Sequence, residues 1–140
     1  GSNLPLHSLI LEAPHVMVEE ITTKEIKKLY ESWSLTNLKS KLEKYHKDVD
    51  DSFNKWCSIW LSSDFKKWNI EKFLKNIRVP VLTIQGLNDQ YGSLFHIDVL
   101  EENVQNIFEK LLIDKCKHSP HFEYEELVLK KVKSFLNQID

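Results

Sequence analysis

Two side chains of the types used in acid–base catalysis lie in loops that follow strand-like runs. Asp89 ends the segment Gly86-Leu87-Asn88-Asp89, directly after the branched-apolar run Val79 to Gln85. His118 lies in Cys116-Lys117-His118-Ser119-Pro120-His121, after a run centred on Leu111-Leu112-Ile113. In open α/β sheets ligands bind beyond the carboxyl ends of the strands, so both residues fall where such a fold does chemistry. A carboxylate can accept a hydrogen bond from one imidazole nitrogen and fix the tautomer. The other nitrogen then takes a proton from a nucleophile. Residue type alone leaves the plain alternative open, because Asp and His in loops are commonly just solvated.

The remaining candidates read as structural. Cys116 sits two residues before His118, but a thiol on a strand end is more often a small buried side chain than a nucleophile. His121 reads as a structural or solvated residue. His15 follows the first strand and would point towards the same cleft, and a turn role is the simpler assignment. His7, His46 and His96 read as surface or helix residues. His46 with Asp48, Asp50 and Asp51 resembles a metal-ligand cluster only superficially, since helix capping and solvation account for the acids. No metal and no cofactor are expected. The three glycines are Gly1, Gly86 and Gly92, which excludes a phosphate loop, a dinucleotide-binding fingerprint and a Gly-x-Ser-x-Gly nucleophile elbow.

The elements that must position Asp89 and His118 follow from hydrophobic period. Leu9-Ile10-Leu11 reads as a buried strand closed by Pro14. Thr22 with Glu25 forms a capping-box pattern that opens a short amphipathic helix. Leu35, Leu38, Leu42 and Tyr45 predict a second helix over 35–45. Asp48 or Asp50 can cap a third helix carrying Phe53, Trp56, Cys57 and Trp60. Asn69 can cap a fourth segment over 70–77. The run 79–85 suits a strand covered on both faces. A helix follows over 94–104, then a strand over 108–114. A helix over 123–136 closes the chain, with Leu127, Val128, Val132, Phe135 and Leu136 expected to face inward. Strands alternating with helices argue for an α/β fold with parallel strands. The four tryptophans, Trp33, Trp56, Trp60 and Trp68, fall in the helical stretch between the first two strands. They could line an apolar substrate pocket, but aromatic residues at helical spacing more often form a small core.

Composition narrows the function classes. Net charge is −2 with both signs interspersed, which leaves no basic footprint for nucleic acid or a lipid surface. No apolar run approaches the ~20 residues that span a bilayer. Two cysteines make neither a disulfide framework nor a four-ligand metal set, so reduced thiols in a cytoplasmic protein are expected. Gly1-Ser2 reads as a vector remnant, with the native start hidden.

The residues quoted above carry a resemblance. Val79-Pro80-Val81-Leu82-Thr83-Ile84-Gln85-Gly86-x-x-Asp89 resembles the strand-and-acid segment of the α/β-hydrolase family, and Cys116-x-His118-Ser119-Pro120-His121 resembles its terminal histidine loop. The acid precedes the histidine by 29 positions, matching the family's nucleophile–acid–histidine order. Leu9 to His15 resembles the strand before the family's cap. Lys117 stands where the family usually has Gly. The resemblance implies a partial α/β-hydrolase fold: about three parallel strands with flanking helices plus a helical cap insertion. Residues 1–16 would hold the first strand, 17–70 the cap, and 71–140 the rest of the core with both loops. It also implies Asp89 and His118 as triad members of a serine-type hydrolase acting on ester, amide or carbon–carbon bonds.

The family's early strands, oxyanion-hole loop and nucleophile elbow have no counterpart here. Each missing oxyanion donor is worth on the order of 3 kcal/mol, so the chain alone is expected to be inactive. The resemblance also leaves the Leu9 strand with a bare edge, which needs a cover. A separately encoded N-terminal half or a second copy of the chain would supply one. The alternative is a non-catalytic interaction module or truncated gene product that self-associates through this edge.

Overall fold

A computed structural model describes residues 6–139, and the reading of Gly1-Ser2 lies outside them. In chain order these residues form β1 (Leu9–Glu12), α1 (Glu20–Glu31), α2 (Leu38–Leu42), α3 (Val49–Trp60), α4 (Glu71–Leu74), β2 (Val81–Gly86), α5 (Phe95–Asn103), β3 (Phe108–Ile113), α6 (Pro120–Glu123) and α7 (Glu125–Ile139). The chain divides into two units. One joins the N-terminal strand to residues Asn69–Asp140, and the other is the helical stretch Val18–Trp68.

The first unit is built on one parallel sheet in the order β1-β2-β3. Every residue of β2 is buried, as a branched-apolar run covered on both faces requires. Leu82 and Ile84 point to one face, where Leu111 and Ile113 of β3 join them. The α7 residues Val128, Val132, Phe135 and Ile139 lie over this cluster. They are spaced i, i+4, i+7 and i+11, a single helical stripe. Leu127 and Leu136 flank the stripe instead of facing inward, at 42% and 37% exposure. On the opposite face Leu11 and Phe108 pack with Val16, Leu74, Val99 and Leu100, which brings in α4 and α5.

Several expected boundaries move, each for a local reason. The closing helix is preceded by a separate turn, α6, because Pro120 at its first position starts a helix there and Tyr124 leaves helical geometry at φ −140°. The segment expected over 70–77 is helical only from Glu71 to Leu74. Beyond it, Asn76 and Ile77 tighten into i→i+3 bonds to Phe73 and Leu74, ahead of Pro80. Asn69 does hold the start, accepting the Glu71 N–H at 2.8 Å. Ile10 is 40% exposed on the edge strand β1, whereas the sequence suggested a fully buried run.

In the helical unit, α1 starts before the capping-box pattern. Glu19 is its N-cap and its side chain does not cap the helix, and Thr22 is buried inside the first turn with Ile26 one turn later. Burial of that pair overrides the local cap signal. The helix expected over 35–45 is reduced to α2, because Thr36 is extended and interrupts it after the 3₁₀ turn Trp33–Leu35. Asp48 caps α3 by accepting the Asp51 N–H at 2.8 Å. Phe53 is the centre of the aromatic core: Trp33 stacks on it at 3.7 Å between centroids, and Trp56 lies at 6.2 Å.

Candidate active site

The carboxyl end of β2 is stitched directly to the loop after β3. Leu87 N–H donates to the Ile113 carbonyl at 2.9 Å, and Asn88 N–H donates to the Cys116 carbonyl at 2.8 Å. Gly86 makes this approach possible, since a Cβ there would meet the Lys117 and Cys116 carbonyl oxygens at 2.2 and 2.3 Å. The loop then turns through an Asp89 N–H bond to the Gly86 carbonyl at 3.2 Å. That turn aims the Asp89 side chain back across the sheet end.

The Asp89 carboxylate is almost fully enclosed, with 1% of its side chain exposed. Its Oδ1 accepts the Tyr91 N–H at 2.8 Å, and its Oδ2 accepts Nε2–H of Gln85 at 3.1 Å. Gln85 is itself buried in β2 and also donates to the Gly92 carbonyl at 3.0 Å, so the loop is held at both ends. The remaining partner is His118, whose Nδ1 lies 2.9 Å from Oδ2 and 3.1 Å from Oδ1. A carboxylate only accepts, so Nδ1 carries the proton and Nε2 presents a lone pair. The His118 side chain is 36% exposed, so this lone pair belongs to a reachable ring. Tyr91 packs edge-on to the ring at 4.9 Å.

The histidine loop has its own scaffold. Lys115 takes the left-handed conformation at φ 57°, and it, not Lys117, is the strained residue of the turn. A side chain in place of Gly at 117 is therefore accommodated, and Lys117 is exposed. The Glu123 carboxylate accepts the Lys117 N–H at 3.1 Å and the Ser119 N–H at 3.4 Å, clamping the main chain on both sides of His118. Cys116 is wholly buried, and burial, followed by the negative charges of Glu123, Glu12 and Asp89, pushes its thiol up to about 11. It is a protonated core thiol rather than a nucleophile.

His15 belongs to this neighbourhood, with its ring centroid 6.2 Å from that of His118 and 4.8 Å from that of His96. The reading of His96 as a surface or helix residue needs correcting. It is on helix α5 but fully buried, and its Nδ1 accepts the Val16 N–H at 3.3 Å. The lack of a Cβ at Gly92 leaves room for both rings, which such an atom would meet at 3.1 and 3.2 Å. His121 forms a separate pair, its Nδ1 lying 2.7 Å from Glu12 Oε1 at the end of β1.

Other sequence candidates lie apart. Asp48 caps α3, Asp50 bonds to Trp33 and Lys39, and Asp51 pairs with Lys55 at 2.7 Å. Among the described residues no group of three His, Cys, Asp or Glu could hold a metal ion. Among them, too, no helix is long and apolar enough to cross a membrane. Gln85, Tyr91 and Glu123 are site-supporting residues that sequence patterns did not single out. Gln85 carried a usable signal, being an unbranched polar residue at the end of a strand otherwise made of branched or apolar residues.

No known family's sequence model matches the chain, and no curated protein matches it. Solved structures do. A serine hydrolase involved in carbazole degradation is 15% identical, with a TM-score of 0.65, over 95% of this chain and 55% of its own. A meta-cleavage product hydrolase from Pseudomonas fluorescens is 16% identical, with a TM-score of 0.65, over 94% of this chain and 56% of its own. An esterase from a Rhodococcus species is 13% identical, with a TM-score of 0.63, over 96% of this chain and 57% of its own. The chain thus spans a little over half the length of these structures. With three parallel strands, flanking helices and this likeness, it has the fold of the C-terminal part of an α/β hydrolase.

Proposed function

We propose that Asp89 and His118 are the acid and the base of a catalytic triad in a hydrolase of ester, amide or carbon–carbon bonds. The observation that carries this reading is the 2.9 Å contact between His118 Nδ1 and the enclosed Asp89 carboxylate at the carboxyl end of a parallel sheet. In this reading Asp89 keeps the Nδ1–H tautomer and stabilises the imidazolium. Nε2 of His118 takes the nucleophile's proton during attack and returns it to the leaving group. The structural neighbours are a serine hydrolase, a meta-cleavage product hydrolase and an esterase, which supports the same class.

The sequence contains no Gly-x-Ser-x-Gly segment, so the nucleophile and oxyanion donors come from a polypeptide segment other than these 140 residues. That segment would add strands to β1, the edge strand, on which Ile10 is exposed. The helical unit Val18–Trp68 would serve as the cap, and a small molecule would be the substrate. Both cysteines are free and buried, which fits a reducing compartment and a cytoplasmic location. Without the completing segment, a second copy would cover the β1 edge and give a homodimer.

The test is turnover of a small activated ester by the chain alone and with the polypeptide encoded immediately upstream. The reading expects no turnover by the chain alone and turnover by the joint sample. An upstream polypeptide that lacks an elbow and restores nothing would favour the non-catalytic, self-associating module.

A further inference from the structure

The helical unit holds a half-open apolar cleft that its own packing does not fill. About 340 Å³ of space lies among Leu29 of α1, Leu38 and Leu42 of α2, and Val49, Phe53 and Trp56 of α3. The two leucines of α2 are one turn apart on the side that faces α3, yet no residue of α2 is buried. A helix packed directly against its neighbour would bury such a pair. The floor, by contrast, is well ordered: Val49 and Phe53 are buried, and Trp33 stacks on the Phe53 ring.

Water against these walls gains few partners, since the polar residues on the lining are His46 and Ser52, both exposed. The volume is about twice that of a dry apolar cavity known to take up benzene, and it falls in the range of small-molecule pockets. Four of its six apolar walls are branched aliphatic side chains drawn from three helices. One aromatic wall, Phe53, already has a ring stacked against it. An unbranched aliphatic tail conforms to such walls, and its polar end would meet His46 and Ser52 at the rim.

We infer that this cleft binds the acyl chain of a medium-chain amphiphile, with the head group at His46 and Ser52. The site is formed within the helical unit, so it stands or falls separately from the role given to Asp89 and His118.

The probe is decanoate, kept below its micellar concentration and titrated into the intact chain with labelled Leu and Val methyl groups. Saturable shifts on Leu29, Leu38, Leu42 and Val49 are expected, with butyrate binding at least tenfold more weakly. Leu42→Trp, which fills the cleft, should weaken decanoate at least tenfold. Leu38→Phe serves the same purpose if that variant does not fold. Shifts centred on Leu127, Leu129 and Leu136, equal binding of the two acids, or undiminished binding by a folded filled variant would overturn the assignment.

Discussion

The carbonyl oxygen of Lys117 lies where the β-carbon of any residue other than glycine at position 86 would need to be, 2.2 Å from the ideal atom. The contact joins the loop that carries Asp89 to the loop that carries His118. The atoms met there are backbone, so no side-chain rotation relieves the clash. Gly86→Ala should therefore destabilise the sheet unit by about 3 kcal/mol, at the upper end for overpacking. Urea unfolding measures the loss. The same variant should also separate Asp89 from His118, so the ring proton between them would exchange faster.

Replacing Asp89 by Asn tests what the carboxylate does for the imidazole. The Gln85, Tyr91 and His118 donors all converge on its two oxygens, and an amide offers only one oxygen to share. In the Asp89→Asn variant the Nδ1–H form loses its partner, and ring nitrogen shifts should show His118 moving towards the Nε2–H tautomer. A ring that keeps Nδ1–H in this variant would mean that Asp89 does not set it.

Cys116 gives a prediction with a defined pH window. In the unfolded chain a thiol ionises near pH 9, whereas in the fold burial and neighbouring carboxylates raise it to about 11. The folded state thus keeps a proton that the unfolded state releases. The resulting stability is present below pH 9 and is lost as pH rises towards 11. Alkylation of Cys116 near pH 8 should be about a hundredfold slower than that of an exposed cysteine, from the smaller thiolate share alone. Burial raises the Cys57 thiol in the same direction, so it too should react slowly. Mass spectrometry of timed iodoacetamide reactions checks both sites.

Glu12 and His121 form a second acid–histidine pair, and its value should be small. Both side chains are partly solvated, so Glu12→Ala should cost less than about 1 kcal/mol in urea unfolding. A larger loss would show that the bond between β1 and α6 holds the sheet edge together.

Much of this architecture was legible in the sequence because period and order were strong. The run 79–85 reads as a doubly covered strand because it is almost wholly branched and apolar, and every position of β2, 81–86, is buried. Asp89 and His118 were readable as partners from their places after adjacent strands. The helical unit was less legible, because its boundaries answer to packing. Thr22 resembles a cap in isolation but is a core residue of α1, and one extended residue, Thr36, breaks a stripe that looked continuous. His96 was missed for a related reason: its neighbours His15 and Val16 are brought to it by the crossing of a segment some 80 residues distant. Glu123 clamps backbone N–H groups, and no side-chain pattern reveals such a role.

The most direct test of the central claim is the rate of ester turnover by the completed enzyme carrying His118→Ala, Asp89→Asn or His121→Ala. The account predicts that His118→Ala lowers kcat by about 10⁶-fold and Asp89→Asn by about 10⁴-fold, the losses seen when a triad base or its acid partner is removed. His121→Ala should stay close to the parent, because that residue serves Glu12 and not the site. Turnover that survives His118→Ala, or that falls with His121→Ala instead, would contradict the assignment of Asp89 and His118 as acid and base.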